Sequence, residues 1–177
     1  EVSEELQRGE YRFSPVQGEE GVWSAPNRAH DFRSRVSATG IEVVPRSASA
    51  VDAGAEWTLV LATKSFGRPG LASELRPATV QVADERVELD HGQLREWFVN
   101  DERGLEQGWT IASAPYGAEP LWIGLEVSGD LTLRIDEGGR SGRFVDAEGV
   151  LCLRYTGLMA FDATGCELEA RLAPGPE

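Results

Sequence analysis

Acidic residues beside tryptophans are the first feature of this sequence that could do chemistry. Glu96 stands beside Trp97, and Glu106 stands three residues before Trp109. A glycosidase needs two carboxyl groups about 5 to 10 Å apart across a cleft, and aromatic rings next to acids are what sugar sites use as platforms. Glu96 and Glu106 are therefore the pair to test first for sugar hydrolysis.

The same tryptophans also fit a role in the protein core. Trp97 and Trp109 stand on what look like paired strands, where an inward aromatic side chain packs in the core and its acidic neighbour points to solvent. Trp23 and Trp122 are flanked by prolines and glycines, which favours edge or loop positions. The four tryptophans are the candidate ligand contacts, with the core role favoured for Trp97 and Trp109.

Other catalytic constellations are missing from the sequence. His30 and His91 are the only histidines, and neither has the spacing of a zinc motif, so we expect a structural or surface role for each. No G-x-S-x-G elbow, G-x-G-x-x-G or phosphate-binding loop occurs. The sequence predicts a domain that is not an enzyme and has no cofactor, although calcium could bind at the Asp-rich turns.

The charge balance limits the partners. Thirty acidic residues oppose 17 basic residues, for a formal net charge of -13, which disfavours nucleic acid because phosphate backbones repel an acidic surface. No apolar run reaches the length of about 18 residues needed to cross a membrane, so no membrane insertion is expected. The first residue, Glu1, fits a chain whose signal peptide has been removed and equally fits a chain trimmed for expression. Of the two, we favour export and expect an extracellular or cell-surface location.

Cys152 and Cys166 allow two interpretations. They could form a disulfide in an oxidising compartment, closing a short loop worth about 3 kcal/mol. If tight turns follow Tyr155 and Asp162, however, the cysteines lie two strands apart, at about 9.5 Å, which is too far for a disulfide. The sequence leaves both alternatives open.

Period-two alternation between turn signals predicts an all-β protein. The clearest hairpin runs from Asp31 to Val36 and returns from Ile41 to Val44, whereas Ala25-Pro26-Asn27 breaks the pattern. Thirteen to fifteen short strands at spacings of about ten residues favour an antiparallel β-sandwich over a barrel. We predict a flexible lead-in over 1–10, one β-sandwich domain over 11–172 with a loop at 47–55, and a linker-like tail over 173–177.

Several stretches together resemble a known family. They are Tyr11-Arg12-Phe13, Ala25-Pro26-Asn27-Arg28-Ala29, Glu96-Trp97-Phe98-Val99-Asn100, Gly104-Leu105-Glu106-Gln107-Gly108-Trp109-Thr110, Leu153-Arg154-Tyr155-Thr156-Gly157-Leu158 and Phe161-Asp162-Ala163-Thr164-Gly165. The chain resembles an N-terminal β-rich module of large exported bacterial proteins, with the pattern W-Y-V-N-G-x-x-G-L-E-Q-G-[FW]-T, which usually stands ahead of integrin-like propeller or other repeats. Phe98, Asp101 and the two cysteines depart from the pattern.

The resemblance covers most of the chain and implies a context without implying a reaction. We therefore expect a non-catalytic structural or adhesive module of a secreted or surface-displayed bacterial protein, with adjoining domains or surface proteins as partners. The alternative is a carbohydrate-binding module or glycosidase-associated domain, with a polysaccharide as its partner, since sandwich folds often present tryptophans to sugars.

Overall fold

The chain is all β wherever its structure is described. A computed structural model describes residues 9–46 and 57–175, and these residues form sixteen strands and no helix. In chain order they are β1 (Ser14–Pro15), β2 (Trp23–Asn27), β3 (Phe32–Ser37), β4 (Gly40–Pro45), β5 (Leu59–Gly67), β6 (Ser73–Glu74), β7 (Thr79–Ala83), β8 (Arg86–Asp90), β9 (Leu94–Asp101), β10 (Gly104–Ile111), β11 (Trp122–Gly129), β12 (Thr132–Ile135), β13 (Gly142–Val145), β14 (Leu151–Tyr155), β15 (Ala160–Phe161) and β16 (Glu167–Leu168). The described residues therefore also contain no helix able to cross a membrane.

Contact clustering divides the chain into two compact units. Unit 1 is Glu1–Glu126 and unit 2 is Val127–Glu177, so the boundary falls inside β11. The single domain over 11–172 stays a prediction.

Unit 1 contains two sheets. The seven-stranded sheet has the order β1-β2-β3-β4-β5-β11, with β6 paired to β5. Its β3–β4 hairpin, predicted from the sequence, turns at Gly40, which has φ 140°. A Cβ at Gly40 would lie 2.3 Å from the carbonyl oxygen of Leu61, so the close approach of β5 needs a glycine there.

The second sheet of unit 1 is a four-stranded antiparallel meander. Its order is β10-β9-β8-β7, and each strand pairs with the next one along the chain. Asp84 takes φ 51° in the turn between β7 and β8, a conformation that aspartate tolerates better than most residues. Short local connections of this kind match the predicted spacing of strands and turns.

Apolar side chains from both sheets make the core of unit 1. The largest fully buried ones are Val36, Ile41 and Leu59 from the seven-stranded sheet and Val87, Leu89, Leu94 and Phe98 from the four-stranded sheet. Burying a side chain of this size stabilises the fold by about 1.5 to 3 kcal/mol relative to exposure. The predicted all-β, sandwich-like fold is confirmed.

One predicted break is wrong. Ala25-Pro26-Asn27 continues β2, and Pro26 pairs with Arg33 of β3. Strand β1 covers only Trp23 and Ser24 of β2, so the edge beside Pro26 is open and its missing N–H group breaks no ladder. The sequence showed the proline but not the length of the neighbouring strand.

Unit 2 consists of short antiparallel strands. Its three-stranded sheet has the order β12-β13-β14, and β15 pairs with β16. Leu131, Phe144 and Val145 are its buried apolar side chains, and the ring of Phe144 meets that of Tyr155 edge-on at 6.1 Å between centroids.

The ends and one loop are described only in part. Most of the predicted lead-in, residues 1–8, and the predicted loop over 47–55 lie outside the described residues. In the predicted tail, residues 173–175 belong to no strand, and 176–177 lie outside the description.

Candidate functional site

Strand β9 carries two of the buried polar residues of unit 1, Glu96 and Asn100. Its alternation turns Leu94, Glu96, Phe98 and Asn100 to the inner face of the sheet, where each is 1% exposed or less. Two of these four side chains are polar. Buried polar groups need hydrogen-bond partners, and the structure supplies them in two separate clusters.

The first cluster surrounds Glu96. Gln107, on the neighbouring strand β10, donates from Nε2 to Oε1 of Glu96 at 2.6 Å. Oε2 of Glu96 lies 3.9 Å from Nε2 of His91, in the loop between β8 and β9. The Nδ1 atom of His91 lies 2.7 Å from the carbonyl oxygen of Arg76. These contacts join β9, β10 and the chain segment around Arg76 inside unit 1.

The electrostatics of this cluster act on His91. The neighbouring Glu96 raises the pKa of His91 above its ordinary value, and the Arg76 carbonyl and Asp90 act in the same direction, whereas burial lowers it. The net shift is upward. A protonated imidazole is therefore favoured beside Glu96.

The second cluster is a pair of asparagines that joins the two sheets of unit 1. Asn27 of β2 donates from Nδ2 to Oδ1 of Asn100 at 2.9 Å and to the carbonyl oxygen of Asp101 at 2.8 Å. Asn100 donates in turn to the carbonyl oxygens of Tyr11 at 2.9 Å and Pro26 at 3.0 Å. Both side chains are fully buried. The Asn100 amide thus provides a hydrogen-bond donor for the Pro26 carbonyl oxygen, on a part of β2 that β1 does not cover.

Trp109 and Trp97 face opposite sides of the four-stranded sheet. Trp109 pairs with Glu96 on the inner side, and its Nε1 donates to Oγ1 of Thr63 in β5 at 3.0 Å. Trp97 lies half-buried on the outer side, with the guanidinium of Arg86 4.7 Å from its ring centroid. Gly108 lies under this ring, where a Cβ would come within 2.1 Å of Cζ2. Both rings are committed to packing contacts.

The expected orientation at Glu96 and Trp97 is wrong. The sequence predicted that the aromatic ring would be inward and its acidic neighbour outward, but Glu96 is inward and Trp97 outward. The hydrogen bond from Gln107 makes the buried position of Glu96 possible. The signal that was missed is the spacing: Glu96 and Asn100 fall on the same alternate positions of β9 as the apolar residues Leu94 and Phe98.

Glu96 and Glu106 do not form a glycosidase pair. Glu106 pairs with Val99 on the outer face and is exposed, whereas Glu96 is 1% exposed on the inner face. Carboxyl groups on opposite faces of one sheet cannot attack one sugar bond.

The other candidate tryptophans lie nearer to solvent. Trp23 is half-buried in β2, and Trp122 is 41% exposed at the start of β11. Trp122 follows an exposed segment that contains Tyr116, which is 93% exposed. Arg68 donates from Nε to the carbonyl oxygen of Pro115 at 3.0 Å and thereby fixes this segment. Of the four predicted ligand contacts, Trp122 is the most accessible.

Both histidines contact a backbone carbonyl oxygen, and their structural or surface role stays a prediction. His30 lies in the turn between β2 and β3, where its backbone N–H donates to Oδ1 of Asn27 at 3.1 Å and its Nε2 lies 3.1 Å from the carbonyl oxygen of Glu102. His91 is held by Arg76 and Glu96.

Of the two alternatives that the sequence leaves open for the cysteines, the structure has the one without a disulfide. Cys152 and Cys166 are both free thiols. Cys152 lies in β14 of the three-stranded sheet, whereas Cys166 precedes β16 of the separate β15–β16 hairpin. Partial burial raises the pKa of the Cys152 thiol above its ordinary value.

The aspartates of the unit 2 turns bind their own backbone. Oδ1 of Asp162 accepts hydrogen bonds from the N–H groups of Thr164 at 2.8 Å and Cys166 at 2.9 Å. Oδ1 of Asp146 accepts from Val150 in the same way, at 2.7 Å. Across 9–46 and 57–175, no group of three or more His, Cys, Asp or Glu side chains is arranged to hold a metal ion. Calcium binding stays a prediction.

Fold and contacts together define an all-β, sandwich-like protein with buried polar clusters in unit 1. Compared with family models, curated proteins and solved structures, the chain has no match in any of the three. The resemblance to the N-terminal module of exported bacterial proteins stays a prediction.

Proposed function

We propose that the chain is a non-catalytic structural or adhesive module of a secreted or surface-displayed bacterial protein. The observation that carries this proposal is the use of Glu96, the one fully buried carboxyl group among the described residues, as an internal contact for Gln107 and His91. General acid–base catalysis needs a group that can reach the substrate. In unit 1, the candidate acid Glu96 lies in the core.

The contacts of unit 1 support a mechanical role. Asn27, Asn100, Trp109 and Thr63 connect the two sheets through side-chain hydrogen bonds. Hydrogen bonds of this kind fix the position of one sheet relative to the other, and each contributes about 0.5 to 1.5 kcal/mol. A module built in this way holds its neighbours, which are adjoining domains or surface proteins, in fixed positions.

Turnover assays with Glu96→Gln as the matched variant test the absence of catalysis. The purified chain is incubated with a panel of chromogenic glycosides and peptide substrates. We expect the release rate to equal the uncatalysed rate for both proteins. Turnover by the wild type that Glu96→Gln abolishes would overturn the proposal and restore a catalytic role for this carboxyl group.

Carbohydrate binding is the second candidate function. The observation that favours it is the exposure of Tyr116 and Trp122, at 93% and 41%, on and beside a segment fixed by Arg68. Exposed aromatic rings offer flat apolar faces to sugars, and this segment contains one charged residue, Glu119. Neutral polysaccharide fits this surface better than a charged one.

The melting temperature in a panel of soluble polysaccharides separates the two candidates. A ligand of the native state raises the melting temperature by mass action. A rise with one neutral glycan that Trp122→Ala abolishes would favour sugar binding. Leu71→Ala is the control, because Leu71 is 66% exposed but aliphatic and should leave such a rise unchanged. A flat panel favours the structural or adhesive role.

A further inference from the structure

The two ring nitrogens of His91 have different surroundings. The side chain is 5% exposed. Nδ1 lies 2.7 Å from the carbonyl oxygen of Arg76, whereas Nε2 is buried and has no hydrogen-bond partner among the described residues. A buried polar atom without a partner is costly and calls for an explanation.

The Arg76 carbonyl determines which nitrogen carries hydrogen. A carbonyl oxygen can only accept, so Nδ1 of His91 must be the donor. In the neutral imidazole, Nε2 then carries a lone pair that faces Oε2 of Glu96 at 3.9 Å. In the protonated imidazole, Nε2 carries a hydrogen and a positive charge toward the same oxygen. Only the protonated form suits these surroundings.

Few charges face His91. Glu96 comes from β9 and Asp90 from the end of β8, while β10 contributes the uncharged amide of Gln107 and the segment before β7 contributes the Arg76 carbonyl. Asp90 is itself 3.8 Å from the guanidinium of Arg95. Gln107 holds Oε1 of Glu96 at 2.6 Å, which leaves Oε2 for His91. Glu96 is therefore the principal partner of the imidazole.

Residues 75–78, which we name the sheet connection, lead from β6 of one sheet to β7 of the other. The backbone N–H of Leu75 donates to the carbonyl oxygen of Lys64 at 2.8 Å, and that of Ala78 donates to Ala38 at 2.9 Å. Both acceptors belong to the seven-stranded side of unit 1. The side chain of His91, in the loop between β8 and β9, links the four-stranded sheet to the same connection by its hydrogen bond to the Arg76 carbonyl oxygen.

We propose that His91 and Glu96 form a pH-operated clamp on the sheet connection. The protonated imidazole bridges Arg76 and Glu96 and holds residues 75–78 in place. Loss of the proton leaves the Nδ1–H donor to Arg76 but sets the Nε2 lone pair against Oε2 of Glu96. This repulsion displaces the imidazole, and the connection loosens. The clamp does not depend on the proposed function, because it requires only that the module meets surroundings of different pH.

The direction of the effect follows from linkage. The folded-state pKa of His91 is raised, so the stabilisation is fully present below the unfolded-state pKa of about 6.5. It is lost as the pH rises through the higher folded-state pKa. The clamp therefore closes at low pH and opens as the pH rises through the folded-state pKa of His91.

Hydrogen exchange and the imidazole titration of the wild-type chain test the clamp. We expect His91 to titrate above about pH 6.5 by NMR. We also expect the protection factors of the Leu75 and Ala78 amides, corrected for intrinsic exchange, to fall several-fold between about pH 5.5 and about pH 8.5, the range in which histidine changes charge. Amides of the β3–β4 hairpin should keep their protection. Titration below about pH 6.5, or protection of Leu75 and Ala78 that does not change, would overturn the proposal.

Two variants separate the clamp from a general effect of pH. Glu96→Gln keeps the size of the side chain and an acceptor for Gln107 but removes the negative charge, so the pH response of Leu75 and Ala78 should shrink or vanish. His30→Gln removes the other histidine and should leave the response intact. A full response in Glu96→Gln, or its loss in His30→Gln, contradicts the clamp. The wild-type titration requires no variant, so a misfolded Glu96→Gln protein would not leave the proposal undecided.

Discussion

Units 1 and 2 stabilise their strands in different ways. Unit 1 contains all of the buried polar side chains among the described residues, namely Asn27, Ser34, Thr63, Glu96 and Asn100. In unit 2, Leu131, Phe144 and Val145 are buried, whereas Val150, Leu151, Met159, Phe161 and Leu168 are 41% to 63% exposed. A small apolar core gives little stability. Unit 1 is held together by its interior, and unit 2 relies more on its turns.

Removal of one large core side chain from unit 1 should have the largest effect. Phe98 is fully buried, so Phe98→Ala should lower the free energy of unfolding by about 3 to 5 kcal/mol. In unit 2, Phe161 is 57% exposed, and Phe161→Ala should change the free energy of unfolding by no more than about 0.5 kcal/mol. Urea denaturation followed by far-UV circular dichroism, which reports on the strands of both units, measures both. Equal losses would remove the contrast between the units.

The asparagine pair should have the next largest effect. Asn100→Ala removes the donor to the carbonyl oxygens of Tyr11 and Pro26 and one of the two acceptors of the Asn27 amide. This loss should cost about 1 to 3 kcal/mol of unfolding free energy. Asp146→Ala is the counterpart in unit 2, where the freed N–H groups lie in an exposed turn and can bind water. We expect a smaller loss for Asp146→Ala in the same urea titration.

Acid should affect the turns of unit 2. The Thr164 hydroxyl and the backbone N–H groups around it lower the pKa of Asp162. A depressed pKa gives stability that is present above the unfolded-state value of about 3.9 and lost as the pH falls through the folded-state pKa. Protection of the Cys166 amide should therefore decrease at low pH, and Asp162→Asn should remove this dependence. Unchanged protection in acid would contradict the role given to the turn.

Thiol accessibility gives the smallest effect. Cys166 is exposed, and Cys152 is half-buried with a raised pKa. Since the thiolate is the reactive form, a thiol reagent at neutral pH should label Cys166 first and Cys152 more slowly, with a mass change for two labels. A non-reducing mass spectrum showing no free thiol would contradict the separation of the cysteines into different strand pairs.

The sequence predicted the elements better than the interior. Hairpins such as β3–β4 follow from local alternation and a turn glycine, so the strands and the sandwich-like fold class could be predicted from the sequence. Glu96 and Asn100 were not placed correctly or noticed as buried, because alternation assigns polar residues to solvent and their partners come from other strands. Trp97 was misplaced for the same reason.

Distant pairing also explains the other differences. Whether Pro26 breaks β2 depends on how far β1 extends, and whether Cys152 meets Cys166 depends on which sheet each strand joins. The Glu96–Glu106 pair failed because register, which sets the face of each residue, depends on the partner strand. Sequence patterns show the local alternation of each strand, whereas the positions of the candidate site residues depend on which strands pair.

The most direct test of the account is the unfolding free energy of Glu96→Ala beside that of Glu106→Ala. Glu96 is an internal structural contact, whereas Glu106 is a solvated side chain of the same sheet. We expect a loss of about 1 to 3 kcal/mol for Glu96→Ala, because Gln107 and His91 lose their buried partner, and a change of no more than about 0.5 kcal/mol for Glu106→Ala. A Glu96→Ala protein as stable as the wild type would contradict the account and favour a functional reason for this buried acid.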